Sequence, residues 1–212
     1  MFWTGLEVIG TVAFATAGAL VGIRKRLDIF GVAMLAVTTA VGGGILRDIL
    51  IGNIPPLAFR NPLFIFISLA IAGLVSIFVK QVARQQRLLN FCDALGLGAF
   101  TATGASLALA QDSALLVITV GVVTGTGGGV LRDIFVREIP LVFHTEIYAV
   151  AAAVGAACFY GLQMMLPVDM AIYLACLITV AIRLLSLRFG FNLPRVRAEK
   201  PAYRKKRSRS ES

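Results

Sequence analysis

The sequence predicts an all-α membrane protein with seven transmembrane helices, built as an inverted 3+3 repeat plus one C-terminal helix. Three observations carry this prediction. Apolar runs reach membrane-spanning length, one block of sequence occurs twice, and basic residues gather in alternate loops.

Of the 212 residues, 58% are hydrophobic and 15% are charged, with a mean hydropathy of +0.86. Soluble domains carry roughly 25% charge and about 45–50% apolar residues. The excess apolar residues here form runs of about twenty, the length that crosses ~30 Å of hydrocarbon. Residues 62–79 show this most plainly, being rich in Leu, Ile and Phe and free of charge. The spans are read at 4–22, 29–52, 62–79, 90–110, 114–136, 147–166 and 171–187. No basic region precedes the first run, so a cleaved signal peptide is not expected. Cys92, Cys158 and Cys176 lack metal-ligand or redox spacing and are expected to be small packing residues.

The duplicated block is the sharpest signal. Thr39, Gly42, Gly43, Gly44, Leu46, Arg47, Asp48 and Ile49 recur as Thr124, Gly127, Gly128, Gly129, Leu131, Arg132, Asp133 and Ile134. At an offset of 85, ten of the seventeen positions over 39–55 are identical, including Ile54-Pro55 against Ile139-Pro140. Upstream, Phe14, Gly18 and Ala19 are echoed by Phe100, Gly104 and Ala105. Each copy contains three spans, an odd number, so the second must enter the membrane upside down. This divides the chain into a first three-helix unit (4–80), a second, inverted unit (90–166), a seventh helix (169–187) and a basic tail (188–212). The tail is polar and poor in aromatics, and is expected to be a disordered cytoplasmic segment near anionic lipid rather than a nucleic-acid arm.

Loop charge sets the expected orientation. One side collects Arg24, Lys25, Arg26, Lys80, Arg84, Arg87 and Arg137, together with nine basic residues from Arg188 to Arg209. The other side receives Arg60 alone. Basic residues are retained on the cytoplasmic side, so the N-terminus is expected outside and the C-terminus inside the cell (inner) membrane.

Within the repeat, glycine triplets fall near the middle of the second and fifth spans. Each interior glycine costs a helix about 1 kcal/mol relative to alanine. Both spans are therefore expected to kink or unwind there, exposing the carbonyls of Thr39 and Thr124 and the amides beyond Gly44 and Gly129. Freed backbone groups at that depth require protein or cavity water. Arg47-Asp48 and Arg132-Asp133 follow inside the hydrocarbon region, where a centred charge costs about 2.5–3.5 kcal/mol. Adjacent helical side chains point about 100° apart, so each arginine is expected to seek a partner on another helix. Glu7 matches the depth of Arg47, and Asp93 that of Arg132, giving expected ion pairs Glu7–Arg47 and Asp93–Arg132. Asp48 and Asp133 would then stay free to attract cations. His144 and Glu146 are expected to be interfacial. No nucleophile–base set or metal-ligand cluster appears, and no enzyme or metal site is expected.

The duplicated GGGxLRD within a 3+3+1 pattern resembles the prokaryotic branch of the TRIC family, the trimeric intracellular cation channels. The resemblance extends from Leu6 to about Leu187. It implies a homotrimer with a K⁺-permeable pore in each protomer, lined by the second and fifth helices at their glycines. Carried over, it places Gly42, Gly43, Gly44, Gly127, Gly128 and Gly129 on the ion path, with Arg47, Asp48, Arg132 and Asp133 beside them. Eukaryotic members carry a phosphoinositide-binding Lys-Glu-Val where this chain has Gly-Gly-Gly, so that regulation does not transfer. Related bacterial proteins are also described as glycine transporters, which leaves two functions open. One is a channel for K⁺ or Na⁺ as permeant ion, with carbonyls and the Thr39 and Thr124 hydroxyls replacing hydration water. The other is a carrier of a small zwitterion at the same midplane site. Phe14 and Phe100 are the candidate gate. The expected partners are further copies of the chain and membrane lipids, without nucleic acid or resident cofactor.

Overall fold

A computed structural model describes residues 3–78, 85–144 and 147–190. Lys80, Arg84, Glu146 and the tail from residue 191 onward, which bear on the expected orientation, lie outside these described residues.

The elements in chain order are α1 (Trp3–Arg24), α2 (Ile29–Leu50), α3 (Leu57–Arg60), α4 (Leu63–Ile77) and α5 (Gln86–Ala108). After a 3₁₀ turn follow α6 (Ala114–Phe135), α7 (Leu141–His144), α8 (Ile147–Leu162) and α9 (Val168–Phe189). No strand occurs among the described residues. Five helices, α1, α2, α5, α6 and α9, are long and apolar enough to cross a membrane. α4 and α8 are apolar but shorter, at 15 and 16 residues. Each is preceded by a one-turn helix, α3 or α7, so the third segment of both repeat units is built from two pieces.

Helix starts follow local chemistry. The Asp28 carboxylate accepts the Gly31 N–H at 2.7 Å at the head of α2, and the Ser113 hydroxyl accepts the Leu116 N–H at 3.4 Å at the head of α6. Both satisfy amides that a helix N-terminus leaves open. α9 ends at Gly190, whose φ of 65° is the left-handed closing turn that glycine adopts without strain.

The helix ends define two sides. α1, α6 and α9 finish, and α2 and α5 begin, on what we term the tail side. The loops 51–62, 109–113 and 163–167 lie on the head side. α1 packs on α2 and α5, α2 on α6, and α5 on α6 and α9, so α1, α2, α5 and α6 form the centre. Small residues permit this closeness: Ala15, Ala17, Ala19, Ala99, Ala102 and Ala105 are all fully buried. Without a hydrophobic drive between helices in lipid, close van der Waals packing of small residues supplies the attraction. Outward faces of α2, α4 and α9 expose Phe30, Phe66, Leu74 and Leu177, as a lipid-facing surface requires.

The glycine triplets do not break their helices. α2 and α6 run as uninterrupted α-helices through Gly42–Gly44 and Gly127–Gly129. The Thr39 and Thr124 hydroxyls donate to the Leu35 and Val120 carbonyls, each at 2.6 Å within its own helix. The expectation of unwound segments with open carbonyls is therefore corrected. A Cβ on Gly43 would strike the Thr124 carbonyl, and one on Gly128 would strike the Thr39 carbonyl. The triplets are thus the crossing point of α2 and α6, where two backbones meet at a separation only glycine allows. The helix-propensity cost is local, and close packing at the crossing offsets it.

Candidate functional site: paired charge clusters at the helix crossing

The glycines, leucine, arginine and aspartate of GGGxLRD take closely matching places at the crossing in both copies. The first glycine receives the leucine of the other copy. A Cβ on Gly42 would lie 2.6 Å from Leu131 Cδ1, and one on Gly127 would lie 2.9 Å from Leu46 Cδ1. The second glycine receives the other copy's threonine carbonyl. The third opens toward its own arginine, with only Arg47 Nη2 near Gly44 at 3.8 Å, while Gly129 faces Tyr148 Oη and Arg132 Nη2. The motif is therefore a packing code with a polar outlet at one end.

Beyond that outlet lie the charges. On the head side, Arg47 Nη1 reaches Glu7 Oε1 on α1 at 3.2 Å, and Arg47 Nε donates to Asp48 Oδ1 at 2.9 Å. On the tail side, Arg132 Nη1 reaches Asp93 Oδ1 on α5 at 2.7 Å, and Arg132 Nε donates to Asp133 Oδ1 at 2.9 Å. Arg47, Asp48, Asp93, Arg132 and Asp133 are all buried. The four residues reasoned from matching depth, Glu7, Arg47, Asp93 and Arg132, thus come together as two pairs.

The adjacent aspartates differ from expectation. Rotation of 100° per residue separates their Cα–Cβ bonds, but the long arginine side chain folds back and its Nε reaches the neighbouring carboxylate. The second oxygen is occupied as well. Asp48 Oδ2 accepts the Leu57 N–H at 2.7 Å, and Asp133 Oδ2 accepts the Leu141 N–H at 3.1 Å. Those amides begin α3 and α7, so each aspartate caps the one-turn helix that starts the third segment. Asp48 and Asp133 are fully engaged, and the expectation that they are free for cations is corrected.

Each cluster borders a cavity. The head-side cavity is small, about 30 Å³, and is lined by Glu7, Thr11, Gly44, Arg47, Asp48 and Phe100 among others. That space holds one or two waters. The tail-side vestibule is far larger, about 970 Å³, and reaches Asp93, Arg132 and Asp133. Charged residues at its mouth are joined by an ion pair between Lys25 and Glu138, which links the α1–α2 loop to the segment after α6. The Phe14 and Phe100 rings, 5.4 Å apart by centroid and tilted by 38°, stack across the same α1–α5 contact. Phe14 is fully buried and fills the notch at Gly96 and Gly128; Phe100 packs on Gly10 and borders the head-side cavity.

Two residues of the site escaped sequence reasoning. Tyr148 begins α8 where Phe64 begins α4, and its hydroxyl donates to Asp93 Oδ1 at 3.5 Å. Arg183 sits on α9, outside the repeat, with its Cζ 4.8 Å from the Tyr148 ring centre. An arginine six residues inside an apolar span was the available signal for it, because intramembrane ionisable residues are functional by default. Tyr148 carried no such signal, since a tyrosine near a span end reads as an ordinary interfacial anchor.

Comparison with known proteins agrees with this architecture. A family model described as "Glycine transporter" matches residues 4–80 and again 90–164, the two halves of the repeat. The UPF0126 inner membrane protein YadS of Escherichia coli K12 is 35% identical over 200 residues, covering 92% of this chain and 95% of that protein. A UPF0126 membrane protein of Deinococcus radiodurans is 43% identical over 154 residues, covering 71% and 72%. Among solved structures, a prokaryotic TRIC channel crystallised in 0.5 M KCl superposes with a TM-score of 0.86 at 38% identity, covering 91% of this chain and 99% of that one. The TRIC trimeric intracellular cation channel orthologue from Rhodobacter sphaeroides gives 0.84 at 34% identity, covering 89% and 98%. The duplicated family match, the UPF0126 relatives and the shared fold together show that this chain belongs to the prokaryotic TRIC family.

Proposed function

We propose that the protein is a monovalent cation channel, carrying K⁺ along a path beside the α2–α6 crossing in each protomer of a homotrimer. One observation carries the reading. Two carboxylate–arginine–carboxylate clusters, buried except for the partly exposed Glu7, lie on opposite sides of one glycine crossing and each border a cavity. Each cluster, taken by itself, sets two carboxylates against one arginine, a local charge that favours a cation in a region of low dielectric, while Arg24, Lys25 and Arg183 line the wider tail-side vestibule. The path would lead from the vestibule past Asp93 and Arg132, by Gly129 and Gly44, and out past Arg47 and Glu7. Phe14 and Phe100 would hold it shut in the present conformation. The solved relatives are TRIC cation channels, which supports the same assignment. In this reading α3–α4 and α7–α8 each count as one span, giving seven, and the tail side faces the cytoplasm, in keeping with the loop charge.

Glycine transport is the second reading, favoured by the description of the matching family model. The unequal cavities, one tight and one open, suit a site that alternates between two sides. Recording from purified protein in planar bilayers separates the two. A channel gives unitary currents whose reversal follows the K⁺ gradient. Electrical silence together with saturable uptake of labelled glycine into liposomes assigns the carrier instead.

A further inference from the structure

The two clusters share one design, but only the tail-side one has a second arginine beside it. Arg47 and Arg132 each hold two carboxylates. Arg183 holds none: none of its N–H groups donates to an acceptor among the described residues, and its Nε is both buried and without a partner. It is only 4% exposed, stacks on Tyr148 and lines the vestibule of about 970 Å³. A guanidinium has five donors in a planar fork that matches an oxyanion. Leaving the Nε–H unmet in a buried position is costly. The described charges lining the vestibule are Arg24, Lys25, Arg132 and Arg183 against Asp93, Asp133 and Glu138, an excess of one positive charge.

We propose that Arg183 anchors an oxyanion-binding site in the tail-side vestibule, taking a small carboxylate or phosphate. The cation–π contact with Tyr148 fixes the plane of the guanidinium, and its open edge faces the cavity. A singly charged anion there brings the lining to neutrality. The head-side cavity has no counterpart, since Arg47 is the only basic residue among the described residues that line it. Binding is independent of whether the protein conducts ions or carries glycine.

The test uses the full chain in nanodiscs of phosphatidylcholine, titrated with sodium phosphate or sodium acetate against sodium chloride at matched ionic strength. Thermal unfolding is the readout. The proposal expects a saturable rise in Tm with at least one oxyanion. Arg183→Gln should weaken its midpoint at least about tenfold, with Arg183→Lys falling between. Should Arg183→Gln fail to fold, Arg183→Lys carries the comparison, and an unchanged midpoint in it overturns the site. Repeating the titration in phosphatidylglycerol nanodiscs identifies the source. If that lipid alone raises Tm and Arg183→Lys abolishes the rise, the oxyanion is a headgroup rather than a soluble ion. An identical rise in wild type and variants, or none in either lipid, contradicts the proposal.

Discussion

At the residue scale, the aspartate of LRD does two jobs with two oxygens: one neutralises the adjacent arginine and the other caps the next short helix. Asp48→Asn and Asp133→Asn keep the size but remove the charge, leaving each buried guanidinium short of a counter-ion. Breaking a buried pair from one side costs about 3–5 kcal/mol. Both variants should lose stability on that order in detergent unfolding, and wild-type stability in either would refute the pairing as described. Glu7→Gln should cost less than Asp93→Asn, because the Glu7 side chain is 13% exposed against 4% for Asp93. At the gate, Phe14→Ala and Phe100→Ala should raise open probability in bilayer recordings; unchanged gating would leave the ring pair a packing contact.

At the element scale, α2 and α6 are unbroken helices that meet at their glycines. Gly43→Ala and Gly128→Ala push a methyl into a backbone carbonyl, and overpacking of this kind costs about 1–3 kcal/mol. Gly73, in the interior of α4, has open space around its Cβ position. Gly73→Ala should therefore stabilise by up to about 1 kcal/mol through helix propensity alone. Opposite signs at the two sites, read by thermal unfolding, are the signature of a crossing; equal effects would argue against it. This contrast also explains what the sequence revealed and what it withheld. Hydropathy made the membrane-spanning helices legible, the duplicated block marked the two matching clusters, and helix rise put Glu7 level with Arg47. The sequence alone does not distinguish a glycine that breaks a helix from one that admits another backbone. That choice depends on Thr39 and Thr124 of the opposite helix, which no local pattern records. The reach of an arginine Nε to its own neighbour was missed for a related reason, since angular separation at Cβ says little about the end of a long side chain. α3 and α7 were hidden because a single helical turn leaves no periodic trace.

At the scale of the whole molecule, the duplicated block gives two half-sites of one design on opposite sides of the crossing, and α9 brings Arg183 to one of them. The outward apolar faces leave room for both lipid and further protomers. If the protein forms the proposed homotrimer, mild crosslinking in detergent should yield a ladder ending at three chains, and a ladder ending at two would contradict it. The central claim is that cations pass the arginine–carboxylate clusters at the crossing. The most direct measurement places one cysteine at Gly44, which borders the head-side cavity, in a background with Cys92, Cys158 and Cys176 replaced by alanine. A cationic methanethiosulfonate reagent is then added to the head side during bilayer recording. The expected result is that K⁺ current falls as the thiol is modified. Current that persists unchanged, with mass spectrometry showing Gly44→Cys fully labelled, would place the path elsewhere.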